Sequence, residues 1–107
     1  MDGFVAAAST ADVPPGERVV VQVGRTWIVL FNVDGVYYAI EDRCTHDDGP
    51  LSDGRVIGCC LIECPRHGAQ FDLRDGSVKA PPALVPVPVF ETRVDDGMVY
   101  IAKAKKR

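Results

Sequence analysis

The sequence has no long apolar stretch and no strong excess of charge of either sign. None of its apolar runs approaches the roughly 20 residues that a membrane-spanning helix needs, and its start, MDGFVAAAST, lacks the basic residues and long apolar run of a secretory signal peptide. Its formal net charge is −3, which argues against a nucleic-acid-binding surface. We therefore expect a cytoplasmic protein that binds neither membranes nor nucleic acid.

Nucleotide-binding and helical signatures are also missing. No GxGxxG motif follows a predicted strand, so the chain is not expected to bind NADH or flavin itself. No segment of useful length shows the 3.6-residue apolar period of an amphipathic helix. A chain of 107 residues is long enough for one ordinary domain, so we expect residues 1–107 to form a single domain.

Short runs rich in Val, Ile, Phe and Tyr, separated by turn dipeptides, indicate β-strands joined by hairpins. Three of these runs, at residues 17–23, 25–33 and 36–42, predict a meander. The four prolines of residues 80–90 limit that segment to an edge strand or an extended connection. The predicted fold class is therefore all-β. The other predicted strands span residues 56–64, 69–73, 77–80 and 99–102.

The sequence contains only two histidines, and each closely follows a cysteine. One residue separates Cys44 from His46, seventeen separate His46 from Cys64, and two separate Cys64 from His67. Thiolate and imidazole ligands are typical of zinc sites and iron–sulfur centres. Structural zinc sites usually pair like with like in each loop, whereas here each loop supplies one cysteine and one histidine, which favours two adjacent metals. These four residues are the predicted metal ligands, and mononuclear zinc is the alternative.

The motifs CTH, at residues 44–46, and CPRHG, at residues 64–68, resemble those of the Rieske family of 2Fe-2S proteins. The resemblance implies one Rieske-type 2Fe-2S cluster, with both cysteines on one iron and both histidines on the other. It implies cluster-binding loops near residues 43–51 and 64–72. It also implies an antiparallel β-sandwich that carries a small cluster-binding β subdomain.

Within this family, the chain is similar to the Rieske-type ferredoxins of bacterial aromatic-ring-hydroxylating dioxygenase systems. The resemblance implies a soluble, monomeric carrier without a substrate site of its own. It would take single electrons from an NADH-dependent flavin reductase, the ferredoxin reductase, and pass them to a terminal oxygenase. Both histidines are assigned to the cluster, so none remains for the mononuclear iron of an oxygenase. The alternatives are the small Rieske subunit of an assimilatory nitrite reductase and, from another class, a zinc-bound structural or interaction module.

The remaining cysteines, Cys59 and Cys60, lie within the predicted strand at residues 56–64. Adjacent strand residues point to opposite faces of a sheet, so the two thiols are poorly placed to bind one metal. A disulfide between adjacent cysteines would be strained. We therefore predict that both are small hydrophobic residues of a strand, without a redox role.

A low reduction potential is predicted from four positions near the ligands. High-potential Rieske proteins carry a disulfide between the positions of Gly49 and Arg66, and a serine and a tyrosine at those of Ala69 and Phe71. In those proteins the serine and tyrosine hydroxyls hydrogen-bond the cluster sulfurs, whereas Ala69 and Phe71 have no hydroxyl. A cluster with fewer such hydrogen bonds is less stabilised in its reduced state. We expect a midpoint near the bottom of the range of about −150 to +300 mV that Rieske centres cover. A redox titration with a strongly positive midpoint would refute this prediction.

Overall fold

The computed structural model describes residues 2–106, whose regular secondary structure is almost wholly β-strand. Helical structure within these residues is limited to a 3-10 turn, Thr10–Asp12. No helix in the same range is long and apolar enough to cross a membrane. In chain order the strands are β1 (Phe4–Ser9), β2 (Arg18–Val23), β3 (Thr26–Val33), β4 (Val36–Glu41), β5 (Arg55–Ile57), β6 (Leu61–Glu63), β7 (Gln70–Asp72), β8 (Val78–Ala80), β9 (Val89–Phe90), β10 (Thr92–Asp95) and β11 (Met98–Ala102).

The strands form three antiparallel sheets. The central sheet has the order β2-β3-β4-β9, so it contains the predicted meander. The proline-rich segment contributes only the two-residue edge strand β9, in agreement with the restriction that its prolines impose. The terminal sheet has the order β1-β11-β10, and the small sheet has the order β5-β6-β7-β8. This arrangement confirms the all-β prediction of a sandwich with a small additional subdomain.

Two hydrophobic cores lie on opposite faces of the central sheet. Along β3, Ile28 and Leu30 belong to the core shared with the terminal sheet, while Val29 and Phe31 belong to the core shared with the small sheet. Successive side chains of a strand point to opposite faces, so the continuous apolar run of β3 is buried on both sides. The second core also contains Cys44 and Cys64, and it therefore connects the sandwich to the predicted metal ligands.

The prediction of a single strand over residues 56–64 is wrong. Gly58 has a φ of 61° and the chain reverses at residues 58–60. As a result β5 and β6 pair as a hairpin, with Val56 opposite Ile62. The uninterrupted apolar composition of this segment conceals the turn, which requires only that glycine adopt a left-handed conformation.

Two strands are not predicted by the sequence pattern. The first, β1, contains three consecutive alanines, and the second, β10, is largely exposed. Neither has the alternation of apolar and polar residues that indicates a half-buried strand. Both are strands because they pair with β11, whose alternate residues Val99 and Ile101 are fully buried. Their conformation is therefore set by tertiary pairing.

Gly76 provides a test of the packing between the small sheet and the proline-rich segment. It has a φ of +78°, and a Cβ atom there would lie 2.1 Å from the Val87 carbonyl oxygen. We expect Gly76→Ala to lower the free energy of unfolding by about 2–4 kcal/mol, because the clash adds to the usual cost of a left-handed alanine. Gly97→Ala is the matched control, since Gly97 also follows an aspartate and has a φ of +76°. A Cβ atom at Gly97 would meet no atom closer than the Thr10 Oγ1, at 3.9 Å.

We expect Gly97→Ala to cost only about 1–2 kcal/mol. Urea unfolding followed by far-ultraviolet circular dichroism measures both differences. Equal losses of stability in the two variants would contradict the close approach of Val87 to Gly76.

Candidate metal centre

Both cysteine–histidine pairs lie in loops that end or begin at strands of the small sheet. The first loop, residues 42–54, connects β4 to β5, and it contains the predicted segment 43–51. The second loop, residues 64–69, connects β6 to β7. It is shorter than the predicted segment 64–72, because β7 begins at Gln70. The first loop therefore connects the central sheet to the small sheet, whereas the second lies within the small sheet. Cys44 and Cys64, one from each loop, are buried in the core between these two sheets.

The two loops have the same backbone turn. In the first loop the Cys44 N–H donates to the Gly49 carbonyl at 2.7 Å, and the Cys44 carbonyl accepts from the Asp48 N–H at 2.8 Å. In the second loop Cys64 makes the equivalent two hydrogen bonds, five and four residues ahead, at 2.7 and 3.1 Å. The cysteine thus occupies the same position in each turn, although the spacing to the histidine differs by one residue.

A left-handed residue closes each turn four positions after the cysteine. It is Asp48, with a φ of 63°, in the first loop and Gly68, with a φ of 79°, in the second. Glycine adopts this conformation freely, and aspartate does so more readily than most side-chain-bearing residues. Asp48 and Gly68 thus have the same conformational role in forming the two loops.

The cysteines and histidines of the site differ sharply in exposure. Cys44 and Cys64 are 0% and 1% exposed, and both are free thiols within the core between the central and small sheets. His46 and His67 are exposed, with ring centroids 5.1 Å apart and an angle of 85° between the ring planes. The site therefore has an inner pair of sulfur donors and an outer pair of nitrogen donors.

The structure brings all four predicted ligands to one place. The ligand atoms of Cys44, Cys64 and Asp47 lie within 4.8 Å of one another, and so do those of His46, His67 and Asp47. Because Asp47 belongs to both groups, the thiols and the imidazoles lie around the same small volume.

The buried thiols place an electrostatic requirement on the site. Burial raises the pKa of the Cys44 thiol above its ordinary value, and the adjacent Cys64 raises it further. Two thiolates in a low-dielectric core repel each other and lack solvation. A bound metal cation would offset both costs.

The donor set fits a Rieske-type 2Fe-2S cluster. Two buried sulfur donors suit an inner iron, and two exposed imidazoles suit an outer iron at the protein surface. A single tetrahedral zinc would also accept two sulfurs and two nitrogens. The separation of like donors into an inner and an outer pair, one of each from each loop, favours two metals.

Hydrogen bonds from outside the turns hold the first loop at both ends. One carboxylate oxygen of Asp42 accepts from the Leu51 and Ser52 N–H groups at 2.8 and 2.7 Å, and the other accepts from the Ser52 hydroxyl at 2.9 Å. The Thr45 hydroxyl donates to the Val85 carbonyl of the proline-rich segment at 2.6 Å. These contacts restrict the backbone that carries Cys44 and its neighbours.

An ion pair connects the two loops directly. The Arg66 Nε donates to Asp47 Oδ2 at 2.7 Å, and its Nη2 donates to Oδ1 at 3.2 Å. The Nη1 of Arg66 also donates to the Pro50 carbonyl at 3.0 Å. The Arg66 guanidinium, with help from the Gly49 N–H, holds the pKa of Asp47 well below its usual range. Sequence reasoning missed this pair, because nothing in the local pattern relates two residues 19 positions apart.

The prediction that Cys59 and Cys60 are unpaired residues of a strand is wrong. They lie in the turn between β5 and β6 and are joined by a disulfide bond. In a turn the side chains of adjacent residues need not point to opposite faces, so the strand-based argument against their contact does not apply. Neither belongs to the group of ligand atoms around Asp47.

Comparison with known proteins agrees with the geometry of the two loops. The chain is 38% identical over 98 residues to the biphenyl dioxygenase ferredoxin subunit of Pseudomonas sp. strain KKS102, covering 92% of this chain and 90% of that protein. It is 38% identical over 95 residues to the 3-phenylpropionate/cinnamic acid dioxygenase ferredoxin subunit of Escherichia coli K12, covering 89% of each.

Solved structures give the same result. A chain in the complex of reduced oxygenase and oxidised ferredoxin of carbazole 1,9a-dioxygenase superposes with a TM-score of 0.89 and 35% identity, covering 100% of this chain and 99% of that one.

The family model described as the Rieske [2Fe-2S] domain matches residues 3–91, which include both loops. A Rieske domain carries one 2Fe-2S cluster. The chain therefore belongs to the Rieske [2Fe-2S] domain family.

Proposed function

We propose that this protein is a one-electron carrier whose cluster is held by Cys44 and Cys64 on the inner iron and by His46 and His67 on the outer iron. The observation that carries the proposal is the arrangement of two buried free thiols beneath two exposed imidazoles, on loops that share one backbone turn. When bound, a Rieske cluster accepts and releases one electron at a time.

The cysteines and the histidines have different roles in the proposed site. Cys44 and Cys64 bind through sulfur within the core, where the surrounding apolar side chains exclude water and keep the dielectric low. His46 and His67 lie at the surface, where a partner protein can approach their ring edges. An electron would therefore enter and leave through the exposed imidazole side of the site.

The partner supported best is the terminal oxygenase of an aromatic-ring dioxygenase. The relatives are ferredoxin subunits of dioxygenases that act on biphenyl and on 3-phenylpropionate or cinnamic acid. The carbazole 1,9a-dioxygenase neighbour comes from a complex of oxygenase with ferredoxin. We propose a flavin-dependent ferredoxin reductase as the electron donor, and a monomeric, cytoplasmic carrier that meets its two partners in turn through small interfaces.

We also propose that residues 1–107 form one Rieske domain. The family model ends at residue 91, but β11, at Met98–Ala102, pairs with β1 near the start of the chain. Val99 and Ile101 of β11 are buried in the core shared with the central sheet. This packing supports one folding unit that includes the segment beyond the family match.

The ligand assignment predicts which substitutions remove the cluster. Protein reconstituted without air should contain two irons and two acid-labile sulfides per chain, the content of one [2Fe-2S] cluster. Cys64→Ser and His67→Ala should lose both, because each removes one of the four proposed ligands. The double variant Cys59→Ser/Cys60→Ser is the matched control and should retain the cluster. Loss in the control, or retention in either ligand variant, would contradict the assignment.

The carrier role is tested with the same protein by stopped-flow spectroscopy. A flavin reductase supplied with NADH should reduce the cluster, and an oxidised terminal oxygenase of the biphenyl or carbazole type should then re-oxidise it. The expected transfer is one electron per chain. A colourless protein that binds one zinc per chain would instead support a structural module.

A further inference from the structure

We propose that Asp47 and Arg66 form a noncovalent brace between the two ligand-bearing loops, which slows loss of the cluster and whose two opposite charges shift its reduction potential in opposite directions. This inference rests on the ligand assignment proposed above. Asp47 directly follows His46, and Arg66 directly precedes His67. The brace therefore joins the loops at the points where their imidazoles emerge, and both residues are positioning residues rather than ligands.

The geometry of the pair is that of a specific contact. Two guanidinium nitrogens of Arg66 face two carboxylate oxygens of Asp47, a bidentate arrangement that fixes orientation as well as distance. The third nitrogen donates to the Pro50 carbonyl, so Arg66 is held by two residues of the first loop. The side chains are 31% and 18% exposed, less than a typical surface ion pair.

The first loop is shaped to receive the guanidinium. A Cβ atom at Gly49 would lie 2.5 Å from the Arg66 Cζ, so the absence of a side chain at position 49 creates the space that Arg66 fills. Gly49 does not have a left-handed conformation, so its backbone does not itself require glycine. The Gly49 N–H also donates to Asp47 Oδ1 at 3.0 Å, which orients the carboxylate toward Arg66.

The charges of the pair lie close to the sulfur ligands. A carboxylate oxygen of Asp47 lies within 4.8 Å of the Sγ atoms of Cys44 and Cys64, and the Arg66 guanidinium is hydrogen-bonded to the same carboxylate. A reduced cluster carries one more negative charge than an oxidised one. A nearby cation therefore stabilises the reduced state, and a nearby anion destabilises it.

Three substitutions separate the mechanical effect from the electrostatic one. Asp47→Asn and Arg66→Gln each break the ion pair, but they remove charges of opposite sign. Arg66→Lys keeps the positive charge and loses the planar fork that binds the carboxylate at two points. Arg74→Gln is the matched control, because Arg74 makes a similar bidentate pair with Asp72 in the small sheet but does not connect the loops.

We expect the reconstituted Asp47→Asn and Arg66→Gln proteins to lose their visible absorption in excess iron chelator about tenfold faster than the wild type. Substitution of a residue that supports metal ligands typically weakens metal binding by at least about tenfold. Arg66→Lys should be intermediate, and Arg74→Gln should match the wild type. The midpoint potential should rise in Asp47→Asn, fall in Arg66→Gln and stay close to the wild-type value in Arg66→Lys.

Two results would overturn the brace. One is release of iron at the wild-type rate from both Asp47→Asn and Arg66→Gln, or at an equally increased rate from Arg74→Gln. The other is a shift of both midpoints in the same direction, which a merely structural disturbance would produce. Failure of the ligand assignment is distinguishable, because Cys64→Ser and His67→Ala would then retain the cluster whatever the brace variants do.

Discussion

The close burial of two free thiols, Cys44 and Cys64, is the constraint on which the site depends. Alone, two thiolates in an apolar core are destabilised by desolvation and by their mutual repulsion. A cluster bound as proposed would resolve this conflict, because its positive metal ions would accept both sulfurs. The rest of the site is consistent with this arrangement, since the imidazoles of the same loops lie on the solvent side of the two sulfurs.

The fold supplies what this constraint requires. The central sheet is buried on both faces, and one of its cores extends to the bases of both loops. Each loop then repeats the same hydrogen-bonded turn around its cysteine. Asp42 and Thr45 hold the first loop against its surroundings, and the Asp47–Arg66 pair joins it to the second. Rigid support of this kind limits the movement of ligands when the charge of the metal site changes.

Sequence reasoning succeeded where the signal was local. The placement of the cysteine–histidine pairs in loops and the apolar run of β3 each depend on neighbouring residues. It failed where distant parts of the chain decide the structure. The strands β1 and β10 exist because they pair with β11, and the Asp47–Arg66 contact exists because the tertiary fold brings two separate loops together. The disulfide at Cys59 and Cys60 was missed because one glycine converts an apolar run into a hairpin.

The division of donors between two irons is tested most directly by electron–nuclear double resonance on the reduced protein after labelling its histidines with nitrogen-15. Since the sequence contains only two histidines, the account predicts hyperfine couplings from two directly bound histidine nitrogens at a single paramagnetic centre. Coupling from one nitrogen, or from none, would contradict the assignment of both imidazoles to the outer iron.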